Sequence, residues 1–319
     1  MGHRAEEPPA RRRAGAAERN GVKIPLPPGF DLAWTLGFLA ARTVPSLERV
    51  GDGGYRRSLR LGDRQVTLAL RPLPDRQGGP GALEVRTAPA LPAAEVRRLV
   101  HRMFDLEADL GAFHALAAAD PVLSRIVPRR PSIRLPQLLD PFEGIVRAVI
   151  GQQVSVAGAA TLLDRLVRLL GEPAPELDGE AFLAFPTPLA LASATPEAIG
   201  ATGQTRAKVA TLRGVAAAVL DGRIDWDRLR RGTAEASHET LVALPGIGPW
   251  TASYVRLRTL GDRDAFPAAD LGVIKALRRL TPQGEGITPS EITALGERWR
   301  PWRGYATLHL WNSLAAPTD

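Results

Sequence analysis

The stretch from Leu244 to Lys275, LPGIGPWTASYVRLRTLGDRDAFPAADLGVIK, constrains this chain more than any other. It begins with a tight turn, Leu244-Pro245-Gly246-Ile247-Gly248-Pro249. Helical segments are predicted on both sides, one from about Ala236 to Val242 and one from about Trp250. Together these make a helix-hairpin-helix. Glycine at 246 and 248 permits backbone angles that a side chain would block, and lets another group approach the main chain closely. The first amides of the second helix have no partner inside it and carry a partial positive charge. A phosphate fits there without any particular base being read. A bare Gly-x-Gly would equally describe a glycine-capped helical hairpin. The whole string LPGIGPWTA is the more specific signal, and it predicts backbone contacts through Gly246, Ile247, Gly248 and Thr251.

The same stretch closes on Asp270, behind the small apolar run Phe266-Pro267-Ala268-Ala269. A carboxylate beside aromatic rings suits the stabilisation of a developing positive charge. Asp270 also sits where an N-cap is needed for a helix predicted over Leu271 to Leu280. The two roles are compatible, because a capping side chain is held rigidly. Asp262 and Asp264 fall in a predicted turn and are poorer candidates.

A length of 319 residues allows two or three domains, and 45% hydrophobic residues are enough for real cores. The formal charge of +7 and the pI near 10.6 favour an anionic partner. Arginine as a solubilising residue explains part of that charge. With no cysteine in the chain, disulfides, thiolate nucleophiles and cysteine-bound iron–sulfur clusters are excluded. The five histidines are scattered, with no divalent-metal spacing. No apolar run reaches the roughly 18 residues of a membrane span. The N-terminus, MGHRAEEPPARRRAGAAERNG, lacks a signal-peptide core and reads as a disordered basic tail over 1–22.

Three alternating stretches, Tyr55 to Leu61, Gln65 to Leu70 and Ala82 to Arg86, predict strands joined by Gly, Asp and Pro turns. Asp31 caps a helix before them, and a helix from Pro92 presents Val96, Leu99, Val100, Met103 and Phe104 on one face. After about Asp105 every periodic segment reads as helix, with a turn from Gly171 to Pro175. Pro188 and Pro196 stand at helix starts. The fold class is therefore α+β: a small antiparallel sheet domain with helices, then two mostly helical domains. The boundaries are 23–112 for the sheet domain and 141–262 for the helical domain with the hairpin. The helical domain carrying Asp270 is built from 113–140 and 263–319.

The hairpin with its downstream Asp resembles the helix-hairpin-helix DNA glycosylases. Further strings resemble one branch, the alkylation-repair DNA-3-methyladenine glycosylase II enzymes: WTLGFLAAR at Trp34 to Arg42, MFDL at Met103 to Leu106, RAVIGQQVSVA at Arg147 to Ala157, and RWRPWR at Arg298 to Arg303 with His309-Leu310-Trp311. The resemblance implies an enzyme that flips an alkylated base, such as 3-methyladenine or 7-methylguanine, out of double-stranded DNA and hydrolyses its N-glycosidic bond. It implies Asp270 as the catalytic carboxylate, and Trp250, Tyr254, Trp311 and Phe38 as rings on which an electron-deficient base stacks. Gln153, with Gln152 beside it, falls where the family places the side chain that wedges into the duplex gap. A structural monovalent cation, Na+ or K+, is implied on the main-chain carbonyls of Val242, Leu244 and Ile247, with no other cofactor. A monomer acting in the bacterial cytoplasm is expected, with no membrane partner. Relatives that also cut the strand carry a Schiff-base lysine at the position of Trp250. That residue argues against the first rival, an oxidised-base glycosylase and lyase. The second rival is a non-catalytic helix-hairpin-helix DNA-binding protein, against which Asp270 and its rings argue. Leu271 departs from the aromatic that can follow the catalytic Asp, and Lys275 reads as a surface or phosphate contact.

Overall fold

A computed structural model describes residues 21 to 315. The basic tail expected over 1–22 lies outside them but for its last two positions. One of those is not tail: Val22 heads strand β1 (Val22–Pro25) and pairs with Val85. Helix α1 (Leu32–Ala40) begins at Asp31, whose carboxylate accepts the Trp34 amide at 2.9 Å. Strands β2 (Glu48–Gly51), β3 (Gly54–Leu61), β4 (Arg64–Pro74) and β5 (Pro80–Ala88) complete a five-stranded antiparallel sheet in the order β1-β5-β4-β3-β2. Its two edge strands, β1 and β2, are short and lack clear alternation, so their neighbours rather than their own pattern make them strands. Helix α2 (Ala93–Phe104) lays Val96, Val100 and Phe104 against Leu59, Leu68, Leu83 and Val85. Burying each such side chain is worth about 1.5–3 kcal/mol.

Helix α3 (Gly111–Ala119) follows, then two single 3₁₀ turns and a long loop. The hairpin domain comprises α4 (Pro141–Gly151), α5 (Val156–Leu170), α6 (Pro188–Ser193), α7 (Pro196–Ala201), α8 (Arg206–Leu220), α9 (Trp226–Arg231), α10 (Ala234–Val242) and α11 (Pro249–Val255). Side-chain oxygens of Asp140, Ser155, Thr187, Thr195 and Thr205 accept first-turn amides of α4 to α8, which is why these helices start where they do. A two-residue ladder, β6 (Glu172–Pro173) with β7 (Leu183–Ala184), stands where only a turn and helices were expected. It docks on the sheet domain: the Ser58 hydroxyl donates to the Leu183 carbonyl at 2.6 Å. Helix α11 continues into a π-helical stretch, Arg256–Leu260.

The chain then returns through α12 (Leu271–Leu280), α13 (Pro289–Arg298) and α14 (Arg303–Asn312) to pack on α3 around Phe113, Leu123, Trp299 and Tyr305. Ala108 and Leu110 already belong to this core, so its first chain segment starts before the expected boundary at 113. Each of the three parts has its own apolar core. A buried ion cluster ties the sheet to the hairpin domain. Arg57 of β3 reaches Glu143 of α4 at 2.6 Å, and Arg147 reaches Glu48 and Glu143 at 2.7 Å each. Burial alone would raise the Glu48 carboxyl, but Arg147 and Arg57 more than reverse this and hold it below its ordinary value.

Candidate active site

The three parts leave a cleft of about 890 Å³ between them, lined by the hairpin, the α4–α5 turn, α11 and the start of α12. Asp270 stands on its wall at the N-cap of α12. One carboxylate oxygen accepts the amides of Gly272 at 2.9 Å and Val273 at 3.1 Å. The same oxygen accepts the indole N–H of Trp311 at 2.8 Å, and the other accepts that of Trp250 at 2.9 Å. Four donors from three segments thus fix the orientation of one carboxylate. Gly272 makes this geometry accessible, because a Cβ there would sit 2.9 Å from the Trp311 ring. Asp262 and Asp264, the weaker candidates, are taken up by ion pairs with Arg256, Arg300 and Arg303. Lys275 is exposed on α12.

Trp250 and Tyr254, one turn apart on α11, stack at 5.5 Å between ring centroids, and Tyr254 lies 6.3 Å from Trp311. The three rings make one aromatic layer beside the carboxylate. Phe38 does not join it. Its ring is 8% exposed and lies under two cations, with the Arg42 guanidinium 3.7 Å and that of Arg258 4.7 Å from its centroid. The expectation of a base-stacking Phe38 is therefore corrected: the ring braces Arg42, and Arg42 faces the cleft.

The two arginines were not anticipated as site residues. Arg258 is buried, donates to the Pro136 carbonyl at 2.8 Å and approaches the Tyr254 hydroxyl at 3.4 Å. Arg42 bonds the Phe38 carbonyl at 3.1 Å. Among the described residues neither makes an ion pair with a carboxylate. Burial lowers Arg42 to about 10, helped by the Arg258 charge, and burial likewise lowers Arg258. Both stay charged at neutral pH and offer donors to the back of the cleft. The available signal for Arg258 was its spacing, four residues beyond Tyr254 on the same helical path.

At the hairpin the two glycines differ. Gly246 has φ +83, and a Cβ there would meet Thr211 of α8 at 1.9 Å. Its close approach is thus to a neighbouring helix. Gly248 has an ordinary φ of −90 with open space where a Cβ would go, so the expectation of a special backbone angle holds only at Gly246. Ile247 is 4% exposed and packs in the core of the hairpin domain. Thr251 is buried, and its hydroxyl accepts the Gln152 amide at 2.9 Å, so it offers no side chain to a backbone. Gln152 also donates to the Gly246 carbonyl at 3.0 Å, which removes it as a wedge. Gln153 is exposed at the cleft edge with φ +56. The Leu244 carbonyl accepts the Ile247 amide at 3.0 Å and keeps one lone pair. Among the described residues no three His, Cys, Asp or Glu side chains gather to hold a metal.

Comparison with known proteins places this geometry. Residues 22–140 match the model of the AlkA N-terminal domain, and residues 146–301 match that of the HhH-GPD superfamily base excision DNA repair proteins. The chain is 37% identical to DNA-3-methyladenine glycosylase 2 of Escherichia coli (strain K12), covering 89% of this chain and 94% of that protein. It is 38% identical over 304 residues to a probable bifunctional transcriptional activator/DNA repair enzyme AlkA of Mycobacterium tuberculosis, covering 93% of this chain but only 58% of the relative's length. A solved 3-methyladenine DNA-glycosylase from Archaeoglobus fulgidus superposes with a TM-score of 0.78 at 26% identity, covering 91% of this chain and 97% of that one.

Proposed function

The chain belongs to the HhH-GPD superfamily of base excision DNA repair proteins, with an AlkA N-terminal domain, and from that premise we propose that it excises alkylated bases from duplex DNA without cutting the strand. The observation that carries this reading is the Asp270 carboxylate, pinned by two indole N–H groups and two amides at the edge of the aromatic layer. As the C1′–N bond breaks, its electron pair leaves with the base and positive charge develops on the deoxyribose. A pre-oriented carboxylate stabilises that charge without reorganising. Water then bonds to C1′ and gives up a proton. A base alkylated at N3 or N7 is already cationic, so it leaves as a neutral molecule and needs no acid. Trp250, Tyr254 and Trp311 offer faces or edges to the extruded base. Trp250 supplies no amine for a Schiff base, so the sugar stays unbound and the strand intact.

The exposed Gly246 and the half-buried Gly248 offer main-chain amides for phosphate contact at the hairpin. The carbonyls of Val242, Leu244 and Ile247 are hard oxygen donors suited to Na+ or K+, which would stiffen that turn. A monomer suffices for this chemistry, since every group named belongs to one chain. The test is incubation with methylated duplex DNA followed by chromatography of the released bases, with borohydride added in parallel. Free 3-methyladenine and 7-methylguanine without a trapped adduct are expected. Absence of both bases overturns the reading, and a covalent adduct replaces it with a lyase.

A further inference from the structure

The hairpin and the turn carrying Gln153 come from distant parts of the chain, yet they share one support. Gln152, the last residue before that turn, donates its side-chain amide to the Gly246 carbonyl at 3.0 Å and the Thr251 hydroxyl at 2.9 Å. Lys208 of α8 donates its ammonium to the carbonyls of Ile150 and Gln152 at 2.8 Å each. Those carbonyls lie at the end of α4, where no backbone amide would otherwise reach them. Thr211, one turn along the same face of α8, is packed against Gly246 so closely that no Cβ fits between them. One helix face therefore backs both the hairpin and the turn. Desolvation lowers the Lys208 ammonium, so this contact forms against the tendency of a charge to stay in water. Beyond it Gln153 adopts the left-handed region, which few residues other than glycine occupy, and Val154 stands exposed beside it on the cleft wall.

We propose that Gln152 and Lys208 are positioning residues that lock the Gln153–Val154 turn to the hairpin as one rigid unit. Gripping the DNA backbone then drives the turn into the gap left by the extruded nucleotide and keeps it from recoiling. The proposal rests on the glycosylase reading above. An unsupported turn would still allow chemistry on a base that needs no extrusion, which separates positioning from a general structural role.

The test uses the full chain with Gln152→Leu or Lys208→Met, and with Lys208→Arg as the conservative variant. Single-turnover release of 7-methylguanine is measured from dimethyl-sulfate-treated duplex DNA and from the same DNA heat-denatured. The duplex-to-single-strand rate ratio is expected to fall about tenfold in Gln152→Leu and Lys208→Met, and to stay nearer the original in Lys208→Arg. A ratio unchanged within about twofold, or an equal fall on both substrates, overturns the proposal. Gln152→Leu alone decides the matter if Lys208→Met does not fold. A second readout needs no chemistry: 2-aminopurine beside a tetrahydrofuran abasic site brightens when unstacked. At saturating protein Gln152→Leu should brighten it clearly less than the unaltered chain, and equal brightening overturns the latch. An unaltered chain that releases neither 7-methylguanine nor 3-methyladenine from either DNA overturns the glycosylase reading instead, and the fluorescence then decides the latch by itself.

Discussion

Replacing Asp270 with Asn isolates the charge from the fold. The retained side-chain oxygen can still accept the Gly272 and Val273 amides and the Trp311 N–H, so the cap of α12 survives. Asn caps helices about as well as Asp. The other oxygen becomes an amide nitrogen facing the Trp250 N–H, two donors across a contact of 2.9 Å. The loss there is about 1–2 kcal/mol, the scale of a hydrogen bond to a partly solvated charge. For a chain of this size that lowers the melting temperature by a few degrees. The lost charge matters far more to the reaction. A unit negative charge about 4 Å from a developing cation, at an effective dielectric of about 20, is worth about 4 kcal/mol. That corresponds to about a thousandfold in rate. The assay is single-turnover release of 7-methylguanine from methylated duplex DNA, with a thermal melt of each protein. A variant that melts within a few degrees of the original and works within about tenfold of its rate would refute the role given to Asp270.

Arg42→Gln removes one cation from the back of the cleft. Unit charges about 8 Å apart at an effective dielectric of about 40 interact by about 1 kcal/mol. Release of cationic 7-methylguanine should therefore rise about fivefold relative to a neutral purine such as hypoxanthine, measured by competition, and an unchanged ratio counts against that charge reading. Arg57→Met leaves Glu143 and Glu48 buried with one cation fewer, which should destabilise the chain by about 3–5 kcal/mol in denaturant melts. A shift under about 1 kcal/mol would show that the cluster contributes little. Asp140 caps α4 in the apolar interior, where burial and then the Glu143 charge push it up to about 7. A raised acid stabilises the fold below its unfolded value, and that contribution is lost as pH rises through the folded one. Asp140→Asn keeps the capping oxygen and cannot ionise, so its stability relative to the original should improve by about 2 kcal/mol from pH 5 to pH 8. A pH-independent difference between the two proteins would contradict the burial argument.

Much of this was legible before any coordinates. Asp31, Pro188 and Pro196 announce helix starts because a capping bond or a first-turn proline acts over two or three residues. The alternation of Tyr55 to Leu61 announces a strand because every second side chain meets the same core. The hairpin and Asp270 were legible for the same reason. Phe38 and Gln152 were misplaced. Phe38 has the right chemistry for a base platform, but its ring is buried beneath the guanidinium groups of Arg42 and Arg258. Gln152 has a wedge's position, but its amide is committed to Gly246 and Thr251. The edge strands β1 and β2 were silent because they are strands only through their neighbours.

By itself the sequence determined the local framework: capped helices, an alternating sheet, a glycine hairpin, and a carboxylate a fixed distance along the chain from Trp250. Each of these depends on residues a few positions apart, whose spacing is set by backbone geometry. Tertiary structure alone decided which groups meet across the cleft. Trp311 reaches Asp270 only because α14 folds back onto α12, and Lys208 reaches Gln152 only because α8 lies across the end of α4. Such contacts depend on how three separate cores close against one another, and no local periodicity encodes that packing.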